Sequence, residues 1–177
     1  KVVIVTGAGQ GLGEAFCKGC AKEGANVVIV EINEETGKSI EHEIGGKAVF
    51  IRTDVSSQSQ VKAMVDEVMK RFGKIDALIC NAGIHAGGKF WEETPETWQK
   101  MFEVNVMGVV YCCQAVVPIM IKQGKGKIIN VSSKAAVVGE PLHAAYSSSK
   151  GAVLSLIRAM ASELGQYGIR VNGICPG

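Results

Sequence analysis

Neither sign of charge collects into a run along this 177-residue chain, and no uninterrupted apolar stretch reaches the roughly 18 residues a membrane-crossing helix needs. Nineteen basic against seventeen acidic residues leave a net charge of +2. The sequence therefore carries no electrostatic footprint for nucleic acid or an anionic membrane, and small, weakly charged partners fit it better. Repeats, low-complexity tracts and Pro- or Ser-rich linkers are missing as well, so residues 1–177 are expected to form one domain with a sizeable core. No leader peptide is visible, because Lys1 runs directly into Val2-Val3-Ile4-Val5, which reads as a buried strand. The six cysteines follow no disulfide-framework spacing, which points to reduced thiols and a cytoplasmic compartment. Cys17 and Cys20 have the spacing of a redox or zinc pair but fall inside an expected helix with no second pair to complete a metal site. They read as helix-face residues, Cys112 and Cys113 read as core, and no metal site is expected.

What is present is a regular alternation. Short β-branched runs at Val2–Val5, Asn26–Glu31, Ala48–Arg52, Ala77–Cys80, Lys127–Val131 and Arg170–Ile174 read as strands, and most are apolar enough for burial on both faces. Between them, amphipathic stretches at Leu12–Glu23, Glu34–Glu43, Gln58–Phe72, Pro95–Lys122 and Ala145–Tyr167 read as helices. Thr94 and Pro95 supply the cap and first turn of the longest. Strand–helix alternation of this kind predicts a parallel sheet covered on both faces, an α/β fold.

Three features carry chemistry. Thr6-Gly7-Ala8-Gly9-Gln10-Gly11-Leu12-Gly13 joins the first strand to the first helix. It fits no register of G-x-G-x-x-G, yet glycines at a strand-to-helix turn let backbone N–H groups approach a pyrophosphate. Glu31 ends the second strand, eighteen positions after Gly13. A carboxylate there accepts hydrogen bonds from the hydroxyls of an adenosine ribose and repels a 2′-phosphate. No Arg or Lys stands at Gln10, Ile32 or Asn33 to receive that phosphate, so NAD is favoured over NADP. Tyr146 and Lys150, four apart, share one helix face, and an ammonium beside a phenol favours the phenolate, bringing a group of ordinary pKa about 10 into use near neutral pH.

With these residues in hand, the chain resembles the short-chain dehydrogenase/reductase family in its compact single-domain form. Thr6–Gly13 matches the family's T-G-x-x-x-G-x-G loop, which implies cofactor contacts from Thr6, Gly7, Gln10, Gly11, Leu12 and Gly13. Asp54-Val55 matches the adenine-side pair, Asn81-Ala82-Gly83 the motif after the fourth strand, and Arg170–Gly177 the segment whose Pro176-Gly177 lies beside the nicotinamide. Asn105, Ser133, Tyr146 and Lys150 match the catalytic set, Ser133 standing thirteen positions before Tyr146. The resemblance implies a Rossmann-like doubly wound parallel sheet in three layers, lacking its last strand. It also implies an NAD-dependent oxidoreductase that interconverts a secondary alcohol and a ketone. In that scheme Tyr146 exchanges a proton with the substrate oxygen, Lys150 lowers the tyrosine pKa and binds the nicotinamide ribose, Ser133 donates to the substrate oxygen, and Asn105 holds a water in a proton path from Lys150.

Two other readings compete: a regulatory protein that senses NAD without turnover, and a sugar-nucleotide epimerase. All four catalytic positions being present weighs against the first, and the glycine spacing at Gln10 and Gly11 against the second. The glycine loop, the Tyr146–Lys150 segment and the closing residues lean toward acetoin/diacetyl reductases. His85 and His143 are candidate substrate contacts, whereas His42 is expected at the surface and Trp91 and Trp98 in packing or interfaces. The resemblance implies a homodimer or homotetramer paired through Pro95–Lys122 and Ala145–Tyr167. Because Val171-Asn172-Gly173-Ile174-Cys175-Pro176-Gly177 stops at the carboxyl end of a strand, the chain is expected to be part of a longer protein whose substrate lid and last strand lie beyond it.

Overall fold

The computed structural model describes residues 1–177. Its strands are β1 (Val2–Thr6), β2 (Asn26–Glu31), β3 (Ala48–Arg52), β4 (Ala77–Cys80), β5 (Gly126–Val131) and β6 (Ile169–Ile174). They form one sheet in the order β3-β2-β1-β4-β5-β6, every neighbouring pair parallel. Helices α1 (Gly11–Lys22), α2 (Glu34–Ile44), α3 (Gln58–Phe72), α4 (Pro95–Phe102), α5 (Gly108–Gln123), α6 (Ala135–Val138) and α7 (Ala144–Leu164) fill the connections. This is the expected α/β, Rossmann-like doubly wound sheet with helices on both faces.

Alternation along the strands builds two cores. In β1, Val2 and Ile4 join the larger cluster with Val28, Leu78, Ile128 and residues of α3, α5 and α7. Val3 and Val5 point the other way, into a cluster with Val27, Ile29, Cys17 and Ile40. Successive side chains of a strand take opposite faces, so an apolar run with no polar alternation must be covered twice. Cys112 and Cys113 are buried as expected, and their thiols, packed on Cys80, push the Cys80 thiol well above its ordinary range. Cys17 is buried too, and burial pushes its thiol up to about 12.

Two elements differ from expectation. The run read as one helix over Pro95–Lys122 is α4, a π-helical turn at Glu103–Met107, and α5. The wider turn surrounds Asn105, which is fully buried and reaches out of the helix to both backbone groups of Ile84. The stretch after Ser133, for which the pattern predicts no helix, contains α6, whose first N–H at Ala135 donates to Ser133 Oγ at 3.1 Å. Pro95–Gln123 taken whole is also long and apolar enough, by length and composition, to cross a bilayer. An average over the window tolerates the Asn, Gly and Gln that interrupt the apolar run, and in this fold Val109, Cys112, Cys113, Val116 and Met120 are spent on the core.

Candidate active site

The strand order reverses between β1 and β4, and the crevice this opens at their carboxyl ends is where an open α/β sheet binds ligands. Thr6, the last residue of β1, stitches the crevice shut from below. Its hydroxyl accepts from the N–H groups of Asn81 (3.0 Å) and Ala82 (3.1 Å), while Asn81 Nδ2 donates to the carbonyls of Thr6 (3.2 Å) and Gly7 (2.9 Å). The glycine turn is pressed onto these residues. A Cβ on Gly7 would stand 2.6 Å from Ala82 Cα and one on Gly13 would stand 2.7 Å from Asn81 Nδ2.

Gly11, with φ +57°, has open space where a side chain would go, and Gln10, which precedes α1, gives that helix no side-chain cap. Its first N–H groups are therefore free to meet an anion. From this turn a cleft of about 550 Å³ runs past Glu31, Asp54 and Val55. Glu31 holds the glycine turn as well, accepting from Ile32 N (2.8 Å), Gly9 N (3.0 Å) and Asn33 N (3.1 Å). The hydroxyl and backbone N–H of Ser56 donate to Asp54, and the hydroxyl bond above all holds its carboxyl below the usual range. A glycine cradle, an uncapped helix start and a carboxylate at the end of β2 fit a dinucleotide.

A second cleft of about 200 Å³ shares Leu12, Asn81, Gly83 and Ile84 with the first and is lined by Ser133, Tyr146, Lys150 and Pro176. Tyr146 and Lys150 lie one turn apart in α7, with Lys150 Nζ 6.0 Å from the Tyr146 ring centroid. Lys150 is 5% exposed and donates to Val131 O at 2.9 Å. Burial, which disfavours an ammonium, pulls its pKa down to about 8. Ser132 and Ser133 follow the end of β5 and both line the cleft; the Ser132 hydroxyl is engaged in donating to Lys150 O at 2.9 Å, whereas Ser133 Oγ accepts only from Ala135 N. Pro176 O accepts from Lys134 N at 2.8 Å, and Gly177 packs on the Lys134 side chain.

Asn105 enters from behind. Its Oδ1 accepts from Ile84 N (2.8 Å), and its Nδ2 donates to Ile84 O and to Ser149 Oγ, both at 3.0 Å. Ser149 Oγ in turn donates to Tyr146 O at 2.7 Å. Asn105 Oδ1 and Lys150 Nζ both abut Gly83, where a Cβ would lie 3.1 Å from the first and 3.2 Å from the second.

A family model described as short chain dehydrogenase matches residues 1–177. The chain belongs to the short chain dehydrogenase family. Family members similar to it include 2,5-dichloro-2,5-cyclohexadiene-1,4-diol dehydrogenase of Sphingobium indicum, 39% identical over 100% of this chain and 72% of the relative. Another is cyclopentanol dehydrogenase of a Comamonas species, 41% identical over 100% of this chain and 72% of the relative. Among solved structures, 3-ketoacyl-(acyl-carrier-protein) reductase from Brucella melitensis complexed with NADH superposes with a TM-score of 0.97. It is 36% identical, and the match covers 99% of this chain and 75% of the reductase. The family is one of oxidoreductases, and its dehydrogenases named above act on alcohols.

All the catalytic candidates read from the sequence meet in or directly behind the smaller cleft. Several supports escaped that reading. Ser149 bridges Asn105 and Tyr146, and Glu93 Oε2 accepts from Ala145 N at 3.2 Å, capping α7 from 52 residues away. Lys100 lines the larger cleft beside Asp54. Each is a contact across the fold and leaves no local signal. Leu142 is the one non-glycine residue with positive φ, at 65°, a conformation that costs on the order of 1–3 kcal/mol.

Proposed function

We propose that this protein is an NAD-dependent oxidoreductase that interconverts a secondary alcohol and the corresponding ketone. The observation that carries the reading is the convergence of Ser133, Tyr146 and Lys150 on one cleft that opens into the glycine-lined crevice. Thr6, Gly7 and Gln10 to Gly13 would hold the pyrophosphate, Glu31 the adenosine ribose, Asp54 and Val55 the adenine, and Asn81, Ala82, Gly83, Pro176 and Gly177 the nicotinamide end. When bound, the nicotinamide supplies the hydride acceptor or donor.

The chain's own residues handle the proton. Tyr146 Oη takes the proton from a bound carbinol in oxidation or returns it to the ketone oxygen in reduction. Ser133 Oγ donates a hydrogen bond to the same oxygen and stabilises the charge that develops on it. Lys150, with a pKa near 8, holds or releases a proton close to physiological pH and offers a positive charge to the phenolate. Asn105 stands next to Lys150 across Gly83 and serves the path by which that proton reaches solvent. Relatives named as dehydrogenases of a cyclohexadiene diol and of cyclopentanol support a small alcohol as substrate.

The test is a panel of secondary alcohols and ketones with NAD and NADP, followed by reduced-nicotinamide absorbance. Turnover with NAD that Tyr146→Phe abolishes is expected. No turnover with any member of the panel, or full turnover by the Phe variant, overturns the proposal.

A further inference from the structure

One imidazole stands against the reacting phenol and a second stands behind the first, and the proton-handling roles above use neither. His85 belongs to the loop that follows Asn81-Ala82-Gly83 and lines the smaller cleft with Ser133, Tyr146 and Lys150. Its ring meets the Tyr146 ring edge-on at a centroid distance of 4.8 Å and the His143 ring at 4.5 Å. His143 immediately precedes α7 and packs so closely on Gly87 that a Cβ there would lie 2.8 Å from Nε2. The contacts form a chain from His143 through His85 to the phenol.

That chain is held against the backbone's preference. Leu142, at φ 65°, sets the turn that carries His143, and its carbonyl accepts from Gly88 N at 2.8 Å, pinning this turn to the loop that carries His85. A side chain seldom adopts that conformation unless the surroundings fix it, and such outliers gather at functional sites. His143 Nδ1 is buried without a hydrogen-bond partner, so the ring is kept by packing on Gly87 and His85.

Building on the oxidoreductase reading, we propose that His85 is the specificity-determining contact for a second, uncharged oxygen on the carbon next to the reacting carbinol. The substrate is then a vicinal diol or its α-hydroxyketone, and His143 is the positioning residue behind His85. A neutral imidazole donates at one nitrogen and accepts at the other, so it serves a hydroxyl or a carbonyl equally. A carboxylate or phosphate would call for a lysine or arginine, and the one such side chain lining this cleft, Lys150, is tied to Val131 O. A ring in contact with the phenol reaches an oxygen adjacent to the one the phenol binds, not a distant group. The cleft, about 200 Å³, holds a small molecule.

The experiment compares matched substrates with NAD, butane-2,3-diol against butan-2-ol and cyclohexane-1,2-diol against cyclohexanol. His85 is exposed in the free protein, so water satisfies it when the second oxygen is missing and the preference is that of one net hydrogen bond: wild type should favour the diols by about 10-fold in kcat/KM. His85→Ala should remove most of that preference, mainly through the KM of the diol. His143→Ala should shrink it in part, and His143→Phe, which keeps the ring contact, should restore it. Thermal midpoints near wild type show that the variants are folded. Equal kcat/KM for diol and mono-alcohol in wild type, or equal slowing of both by His85→Ala, overturns the assignment while leaving the oxidoreductase reading intact. Turnover of neither class sinks both.

Discussion

Lys150 is an ammonium almost wholly buried at the wall of the cleft, 5% exposed, and the fold bears the cost of that burial. Its folded pKa, about 8, lies below the ordinary 10.5. Below pH 8 both folded and unfolded chains hold the proton, and the full penalty is present. Between pH 8 and 10.5 the unfolded chain binds more protons, so this residue makes stability rise with pH, and above that range the contribution levels off. Lys150→Met should therefore raise the unfolding free energy at pH 7, by on the order of 2 kcal/mol once loss of the Val131 hydrogen bond is counted. That gain should fade by about pH 10, and turnover should be lost throughout. Denaturant titrations at a series of pH values check this, and a variant less stable than wild type at pH 7 contradicts it. Tyr146→Phe removes the acidic proton and little volume, so kcat should drop by about 10²- to 10⁴-fold with the NAD dissociation constant nearly unchanged. Glu31→Ala removes both the charge that repels a 2′-phosphate and the acceptor of three loop N–H groups. Calorimetric titration should show weaker NAD binding and a smaller preference over NADP, and tighter NADP binding by wild type would reverse the cofactor assignment.

At the scale of elements, the π-helical turn between α4 and α5 exists around one side chain. Asn105→Ala strips both backbone groups of the half-buried Ile84 of their partners, at about 0.5–1.5 kcal/mol for each hydrogen bond lost. Denaturation should show a loss of that order even without substrate, which separates its structural role from any part in proton transfer. The sequence announced every strand and five helices, because apolar periodicity is a local signal and the glycine turn lies where a strand meets a helix. It could not announce the π-helical turn, since a long apolar run looks the same whether or not one turn widens. Nor could it show α6, which is four residues long, shorter than a period can be read. The candidate site residues, which the fold brings together, stand out in the sequence through their spacing. Their supports, Ser149, Glu93 and the Leu142 turn, were hidden because each acts on a residue distant in the chain or through backbone geometry.

At the scale of the molecule, α5 shows apolar side chains beyond those the core uses. Val110 of α5 and Val106 of the preceding π-helical turn are half-buried, and Met107 and Ile121 are exposed, so a second apolar face awaits cover. Association through α4, α5 and α7 is the expected outcome. Light scattering should report a dimer or tetramer that Val110→Arg dissociates, and a wild-type monomer at micromolar concentration would count against it. The sheet itself holds a further consequence. β1 pairs with β2 across 24 residues (Val2 with Asn26) but with β4 across 74 (Val3 with Ala77), so on loop-closure entropy the β1–β4 pairing is among the late ones to form. The crevice lies along this seam, and Thr6 and Asn81 stitch it from opposite sides. A dinucleotide lying across it touches both halves of the sheet and can bind only after they have met. Such a ligand acts as a clasp on the finished fold: at 100 times its dissociation constant it should add about 2.7 kcal/mol to global stability. It should also slow hydrogen exchange in β1 and β4 together, although those strands are remote from each other in the chain.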